Sequence, residues 1–259
     1  MDFLTINLPD GSLLSLETLI IVVCLMFLYT FVGIVAGFGG ALVTMPLLTM
    51  FIPVKVATPI SVSVGTITAL YAIYIDHKSI DWKSAISLIL SAFVGIPLGL
   101  YALKYIPDTI MKGGLGIFLI IYSIYSLLGP KLPKIDSPWL PYPFGLFAGA
   151  LGAAFSTSGP PVVVYGTLRD LAPSTFRGTL SAFFATNNTA IMAGMISGGI
   201  MTFDILKIVL ISSPALIAGA LIGNWIHKKI PKEKLKKIIF GLLILSGIML
   251  LKAAFTAGR

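Results

Sequence analysis

The residues of this chain that could do chemistry are almost all uncharged. Ser156, Thr157, Ser158, Gly159, Pro160 and Pro161 stand in a row inside an uncharged run, 137–168. Asn187 and Asn188 sit side by side in a second such run, 178–203, and Gly39 and Gly40 close a GFGG cluster in a third, 18–54. Hydroxyls, amides and the free backbone N–H groups at a helix start are donors that suit an anion, and a helix N-terminus adds about half a positive charge. Proline is favoured in a first helical turn, so Pro160 and Pro161 are placed to open a short helix; Gly39 and Gly40 could do the same in the first half. Two such N-termini facing each other would make a positive, desolvated pocket without a buried lysine. The expected contacts of the anion are Gly39, Gly40, Ser156, Thr157, Ser158 and Gly159. Thr66, Asn187 and Asn188 are side-chain candidates, and Arg177 is a cation near one edge.

Other chemistries lack their groups. The only histidines, His77 and His227, fall in loops, and no acidic residue lies within an expected span. A Ser–His pair or a two-carboxylate site is therefore unsupported, and no catalytic residue is expected. One cysteine and two distant histidines make no metal site, and no cofactor is expected. A nucleotide fingerprint at GFGG would need a preceding strand and an acidic residue about 20 positions on. The sequon at Asn187–Thr189 falls in mid-membrane. Cys24, within an apolar run, reads as a small buried hydrophobe. The amino-terminal stretch has no basic n-region, so no cleaved signal peptide is expected.

The elements that must position these residues are membrane helices. Of 259 residues, 57% are hydrophobic and only 11% charged, against about a quarter charged in a soluble domain. Uncharged runs cover 18–54, 56–75, 84–103, 113–130, 137–168, 178–203, 208–226 and 238–251. Most reach the roughly 20 apolar residues that a span requires. The net charge of +8 comes mostly from loops. Juxtamembrane lysines orient a membrane protein, so no nucleic-acid partner is implied. Two runs, 18–54 and 137–168, are too long for one ordinary helix and hold the glycine and proline clusters. Within hydrocarbon every backbone N–H and C=O needs an internal partner, so broken backbone is tolerated only where protein buries it or where it lines a water-filled cavity. A helix to about Ala36, a break at GFGG and a shorter helix to about Phe51 are expected, with a second break over 156–161. The bland alternatives are a packed kink, glycines for close helix contact, and hydroxyls at Thr58, Ser61, Ser63, Thr66 and Thr68 that bond back to their own helix.

The pattern repeats. Gly33, Ala36, Gly37 and Gly40 match Gly145, Ala148, Gly149 and Gly152 at an offset of 112. Thr58, Thr68 and Ala69 match Thr179, Thr189 and Ala190 at 121, which sets Asn187 opposite Thr66. Gly95, Gly99, Lys104, Ile106, Pro107 and Lys112 match Gly219, Gly223, Lys228, Ile230, Pro231 and Lys236 at 124. The reading is an all-α polytopic membrane protein of two repeats, 1–130 and 131–259, each an interrupted segment followed by three spans. Duplicated halves with interrupted segments at matching places are a secondary-transporter signature and point to the binding site. If each long run crosses once, the halves are parallel. If each is a hairpin returning to its own side, they are inverted; the excess length of both runs favours hairpins. The lysine-rich stretch 228–237 should then be cytoplasmic and the amino terminus external. Trp82, Trp139 and Trp225 fall at span ends, where indoles anchor at the interface.

GFGGALVTMPLL (37–48) and STSGPPVVVY (156–165) resemble the paired signatures of the sulfite exporter TauE/SafE family of membrane permeases, and length and repeat organisation agree over essentially the whole chain. The resemblance implies export of small sulfur-containing anions, sulfite or organosulfonates, across the cytoplasmic membrane. Composition and spacing alone reach only a transporter for an anion, and the leading reading is one that works by alternating access. An anion channel built on the same two hairpins is the rival, and a membrane enzyme or a scaffold is disfavoured. The partners expected are a small anionic substrate and the lipid bilayer; the small-residue faces 91–99 and 215–223 suit either a homodimer or internal packing.

Overall fold

The computed structural model describes residues 6, 13–36, 39–76, 80–130, 133–226 and 232–257. Ten α-helices are present among them, and no strand. They are α1 (Leu16–Ala36), α2 (Gly40–Phe51), α3 (Val54–Asp76), α4 (Trp82–Tyr105), α5 (Asp108–Leu128), α6 (Pro141–Phe155), α7 (Gly159–Leu168), α8 (Pro173–Ser197), α9 (Phe203–Ile226) and α10 (Lys232–Ala257). Six of these (α1, α3, α4, α5, α9 and α10) contain stretches long and apolar enough to cross a membrane. With its 25 residues α8 matches their length, but Asn187, Asn188 and its hydroxyls make it more polar. The exposed indoles of Trp82, Trp139 and Trp225 stand at the start of α4, just before α6 and in the last turn of α9. Gly37, Phe38, His77, His227 and residues 228–231 of the lysine-rich stretch lie outside the described residues.

The helices gather into two compact units, and each draws on both halves of the sequence. The first comprises residues up to Ile60, Ile106–Gly129 and Met201 onward. In it α1 packs on α9, α5 on α10, and α2 on α1, α10 and α5. Glycines permit the closest approaches. A Cβ on Gly219 would collide with the Phe27 carbonyl, and one on Gly223 would lie 3.2 Å from the Phe31 oxygen. The Thr30 hydroxyl donates to the Leu216 carbonyl at 3.0 Å. Both chains advance together, so α1 and α9 are parallel. Gly116 abuts Gly247, Gly113 faces Ala254, and the Tyr122 and Phe240 rings meet edge to face at 5.7 Å; α5 and α10 are therefore antiparallel. After α1 the chain doubles back, which leaves Gly40 against the Tyr29 carbonyl, where a Cβ would not fit.

The second unit comprises Ser61–Tyr105 and Pro130–Ile200. Its core is Leu88 and Ala92 of α4, Ala148 of α6, Val162 and Tyr165 of α7, and Leu180 and Phe183 of α8. A Cβ on Gly95 would strike the Leu146 carbonyl, one on Gly99 the Ala150 carbonyl, and one on Gly149 the Ala92 carbonyl. Helices α4 and α6 thus run parallel with their backbones nearly touching. Helices α4 and α8 are parallel too: the Asp81 N–H donates to Thr179 Oγ1 at 3.1 Å where both begin, and Lys104 Nζ donates to the Gly198 carbonyl at 2.9 Å where both end. Helix α7 runs opposite to α6. The Phe144 ring, near the start of α6, lies 6.1 Å from that of Tyr165, near the end of α7, and the Ile135 N–H donates to the Leu168 carbonyl at 2.9 Å. The run 137–168 is a helical hairpin. Its arms of 15 and 10 residues measure about 22 and 15 Å, each shorter than a hydrocarbon core of about 30 Å.

Two expectations are corrected here. Cys24 is exposed on α1, because the helix turns that face outward; in a span this face meets lipid, which accepts a thiol as readily as a core does. The break expected over 156–161 covers only Ser156, Thr157 and Ser158. Gly159, Pro160 and Pro161 are already helical, since a first turn needs no N–H from proline and its fixed φ suits the helix.

Candidate functional site

The break in the α6–α7 hairpin is built by local chain chemistry. Helix α6 ends on Ser156 in the left-handed region, φ 56°, which is unusual for a residue other than glycine. Its N–H donates to the Gly152 carbonyl at 2.8 Å, and the Thr157 N–H to the Leu151 carbonyl at 3.3 Å. These bonds close the carbonyl end of α6 as a left-handed cap does. Ser158 then caps α7, but its hydroxyl accepts no cap bond, because Pro160 and Pro161 offer no N–H to it. Of the orphan N–H groups that a helix start offers, the two prolines remove theirs. Those of Ser158 and Gly159 remain, without a backbone partner among the described residues.

Side chains converge on the same place. Thr157 and Ser158 are 2% and 3% exposed and Asn187 is fully buried. Asn187 Nδ2 on α8 donates to Ser158 Oγ at 3.4 Å, a long bond. Neither Asn187 Oδ1 nor Thr157 Oγ1 has a hydrogen-bond partner. A buried polar atom left unpaired costs about 1–3 kcal/mol, and such an exception needs a reason: a role, or an absent water or ion. Gly152 makes room for the cluster. A Cβ there would meet Ser158 Oγ at 2.9 Å, Ile191 Cδ1 at 3.0 Å and Asn187 Nδ2 at 3.2 Å.

The sequence-expected residues are therefore only partly assembled. Ser156, Thr157, Ser158, Gly159 and Asn187 come together. Asn188 is buried on α8 on a different side of the helix from Asn187. The Thr66 hydroxyl is spent on the Val62 carbonyl of its own helix at 2.8 Å, and Thr68 likewise bonds back to Val64. Arg177 is exposed and lies ten residues before Asn187, about 15 Å along α8. Gly39 and Gly40 belong to the first unit. There Gly39 has φ 90° and caps α2, whose first residue is the buried Gly40.

Two features escaped the sequence reading. Gly152 and Ile191 border the cluster; for Ile191 the legible signal was its four-residue spacing from Asn187, which puts both on one face of α8. The other is a polar chain at the far end of α7. The Tyr165 hydroxyl donates to Ser84 Oγ at 2.9 Å, Ser84 donates to Asp81 Oδ2 at 2.6 Å, and Asp81 accepts from the Ser84 N–H as the cap of α4. With the Asp81–Thr179 bond it ties α7, α4 and α8 together. At the same end Arg169 pairs with Asp136, and Lys134 with Asp170 at 3.6 Å.

Comparison with known proteins agrees with this architecture. The chain is 27% identical to a probable membrane transporter protein of Methanocaldococcus jannaschii, over 96% of its own length and all of that protein. It is 26% identical to the probable membrane transporter protein YunE of Bacillus subtilis, over 90% and 97% of the two chains. It is 22% identical to the probable sulfite/organosulfonate exporter TauE of Cupriavidus necator, over 88% and 91%. No solved structure matches it. The sulfite exporter TauE/SafE family model matches residues 22–250, and the chain is a member of that family, a multi-pass membrane transporter.

Proposed function

We propose that this protein exports small sulfur-containing anions, sulfite or organosulfonates, across the cytoplasmic membrane by alternating access, and that it holds the anion at the break between α6 and α7. The observation that carries the proposal is the pair of buried, unpartnered polar atoms, Thr157 Oγ1 and Asn187 Oδ1, beside the free N–H groups at the start of α7. Family membership and the Cupriavidus relative support the substrate class. Export of a monoanion from an inside-negative cell is downhill by about 2.3 kcal/mol per 100 mV, so the potential suffices to drive it.

Helix directions support inverted repeats. Helices α4 and α8 begin at the same end, and between them the chain runs through one span, α5, and the α6–α7 hairpin. If α5 crosses, the hairpin must not. The antiparallel pair α5–α10 fits the same scheme, whereas halves repeated in parallel would make it parallel. In this reading Ala36 pairs with Phe155 and Gly40 with Gly159, the ends and starts of corresponding helices, at one offset of 119. That register replaces 112 for the first segment. Gly39 and Gly40 are then the first repeat's counterpart of the break.

Proteoliposomes loaded with sulfite, methanesulfonate, thiosulfate or sulfate test the proposal. A carrier gives saturable efflux accelerated by the same anion outside. Fast, unsaturated flux without counter-transport would establish the channel instead, and no flux of any sulfur anion would refute the reading.

A further inference from the structure

We infer that the site at the α6–α7 break selects singly charged anions and excludes dianions, so that the form of sulfite it takes is hydrogensulfite. The inference rests on the proposed function and deepens it to a charge state. The donors at the break are the hydroxyls of Thr157 and Ser158, the amide of Asn187 and the N–H groups of Ser158 and Gly159, none with a formal charge. Among the described residues, the cations of the second unit are elsewhere. Lys83 and Arg177 are exposed, Lys104 bonds the Gly198 carbonyl, and Lys134 and Arg169 pair with Asp170 and Asp136. The α7 N-terminus contributes only about half a charge, and its prolines halve the usual four free N–H groups.

Against this modest compensation stands desolvation. The cost of moving an ion out of water grows with the square of its charge, so a second charge quadruples the penalty while the neutral donors stay the same. The hydrogen-bond inventory points the same way. Asn187 Oδ1 is an acceptor without a partner, and an acceptor inside an anion site needs a donor opposite it. The O–H of a protonated oxyanion supplies one while its other oxygens accept from the hydroxyls and N–H groups. A dianion supplies none and brings twice the charge to the carbonyl oxygen; methanesulfonate, singly charged but without an O–H, leaves that acceptor unpaired and binds more weakly than hydrogensulfite.

Calorimetric titration of the purified full chain in detergent tests this with three probes. Methanesulfonate carries one charge at every pH used, sulfate carries two, and sulfite passes from one to two within the range. The expected result is methanesulfonate binding that is flat with pH, sulfite affinity that falls about tenfold per pH unit above its second ionisation, and no measurable sulfate binding. Sulfite affinity that is flat or rises through that ionisation, or sulfate bound as tightly as methanesulfonate, overturns the charge selection while leaving anion binding intact. Binding of none of the three overturns the proposed function itself.

Discussion

Asn187 Nδ2 and Ser158 Oγ lie 3.4 Å apart, joining the middle of α8 to the break that begins α7. The bond is long and leaves the amide oxygen unpaired, so it contributes little to holding the helices together; interhelical hydrogen bonds in membranes average about 0.6 kcal/mol. Asn187→Ala should therefore leave the melting temperature of the unliganded protein nearly unchanged and weaken anion affinity by more than about tenfold, the loss of one hydrogen bond to a charged ligand. Calorimetry and a thermal melt on one preparation measure both. A lower melting temperature with intact affinity would make Asn187 a packing residue.

Gly152 limits the same place sterically. An alanine methyl would stand 2.9 Å from Ser158 Oγ and 3.0 Å from Ile191 Cδ1, so the Ser158 hydroxyl, a proposed contact of the anion, would have to move. Gly152→Ala should abolish flux in proteoliposomes and cost about 1–3 kcal/mol through overpacking. Added anion should no longer raise its melting temperature, as it does for any protein whose folded state binds a ligand.

The helix contacts predict a matched pair. In the proposed duplication Gly95 and Gly219 correspond, and each faces a backbone carbonyl, of Leu146 and of Phe27. Backbone cannot rotate away as a side chain can. Gly95→Ala and Gly219→Ala should each destabilise by about 1–3 kcal/mol, read as similar falls in melting temperature. Gly114→Ala, where nothing lies within 4 Å, should cause no fall. Unequal effects at Gly95 and Gly219 would count against the duplication.

Much of this was legible in the chain. The end of α1 at Ala36, the extent of α2 to Phe51 and the opening of α7 by Pro160 follow from glycine and proline acting over single residues. Whether Thr66 offers its hydroxyl or spends it on Val62 was not, because a threonine in a helix has both choices and the neighbours that decide are distant in sequence. The exposure of Arg177 was no more legible, since position along a helix does not say how far a cation stands from a break on another. Under the inverted repeats proposed above, an offset of 112 sets Gly40, where a helix starts, against Gly152, where one is ending, whereas 119 sets it against Gly159.

The membrane topology gives the last prediction. With Cys24 replaced by alanine, single cysteines at Lys134, Ala172, Ser197 and Lys237 report which side each faces. All four native residues are exposed. If α6 and α7 form a hairpin that does not cross, Lys134 and Ala172 lie on one side, since they flank it. Helix α8 then carries Ser197 to the other side, and α9 returns the chain so that Lys237, beside the lysine-rich stretch, rejoins the first two. The positive-inside rule makes that side cytoplasmic. A membrane-impermeant maleimide applied to intact cells should label the cysteine at 197 alone, and all four once the membrane is opened. Labelling of the cysteine at 134 but not of that at 172 in intact cells would mean that the run crosses once. The halves would then be parallel, and the break would have to be read as a kink within a span.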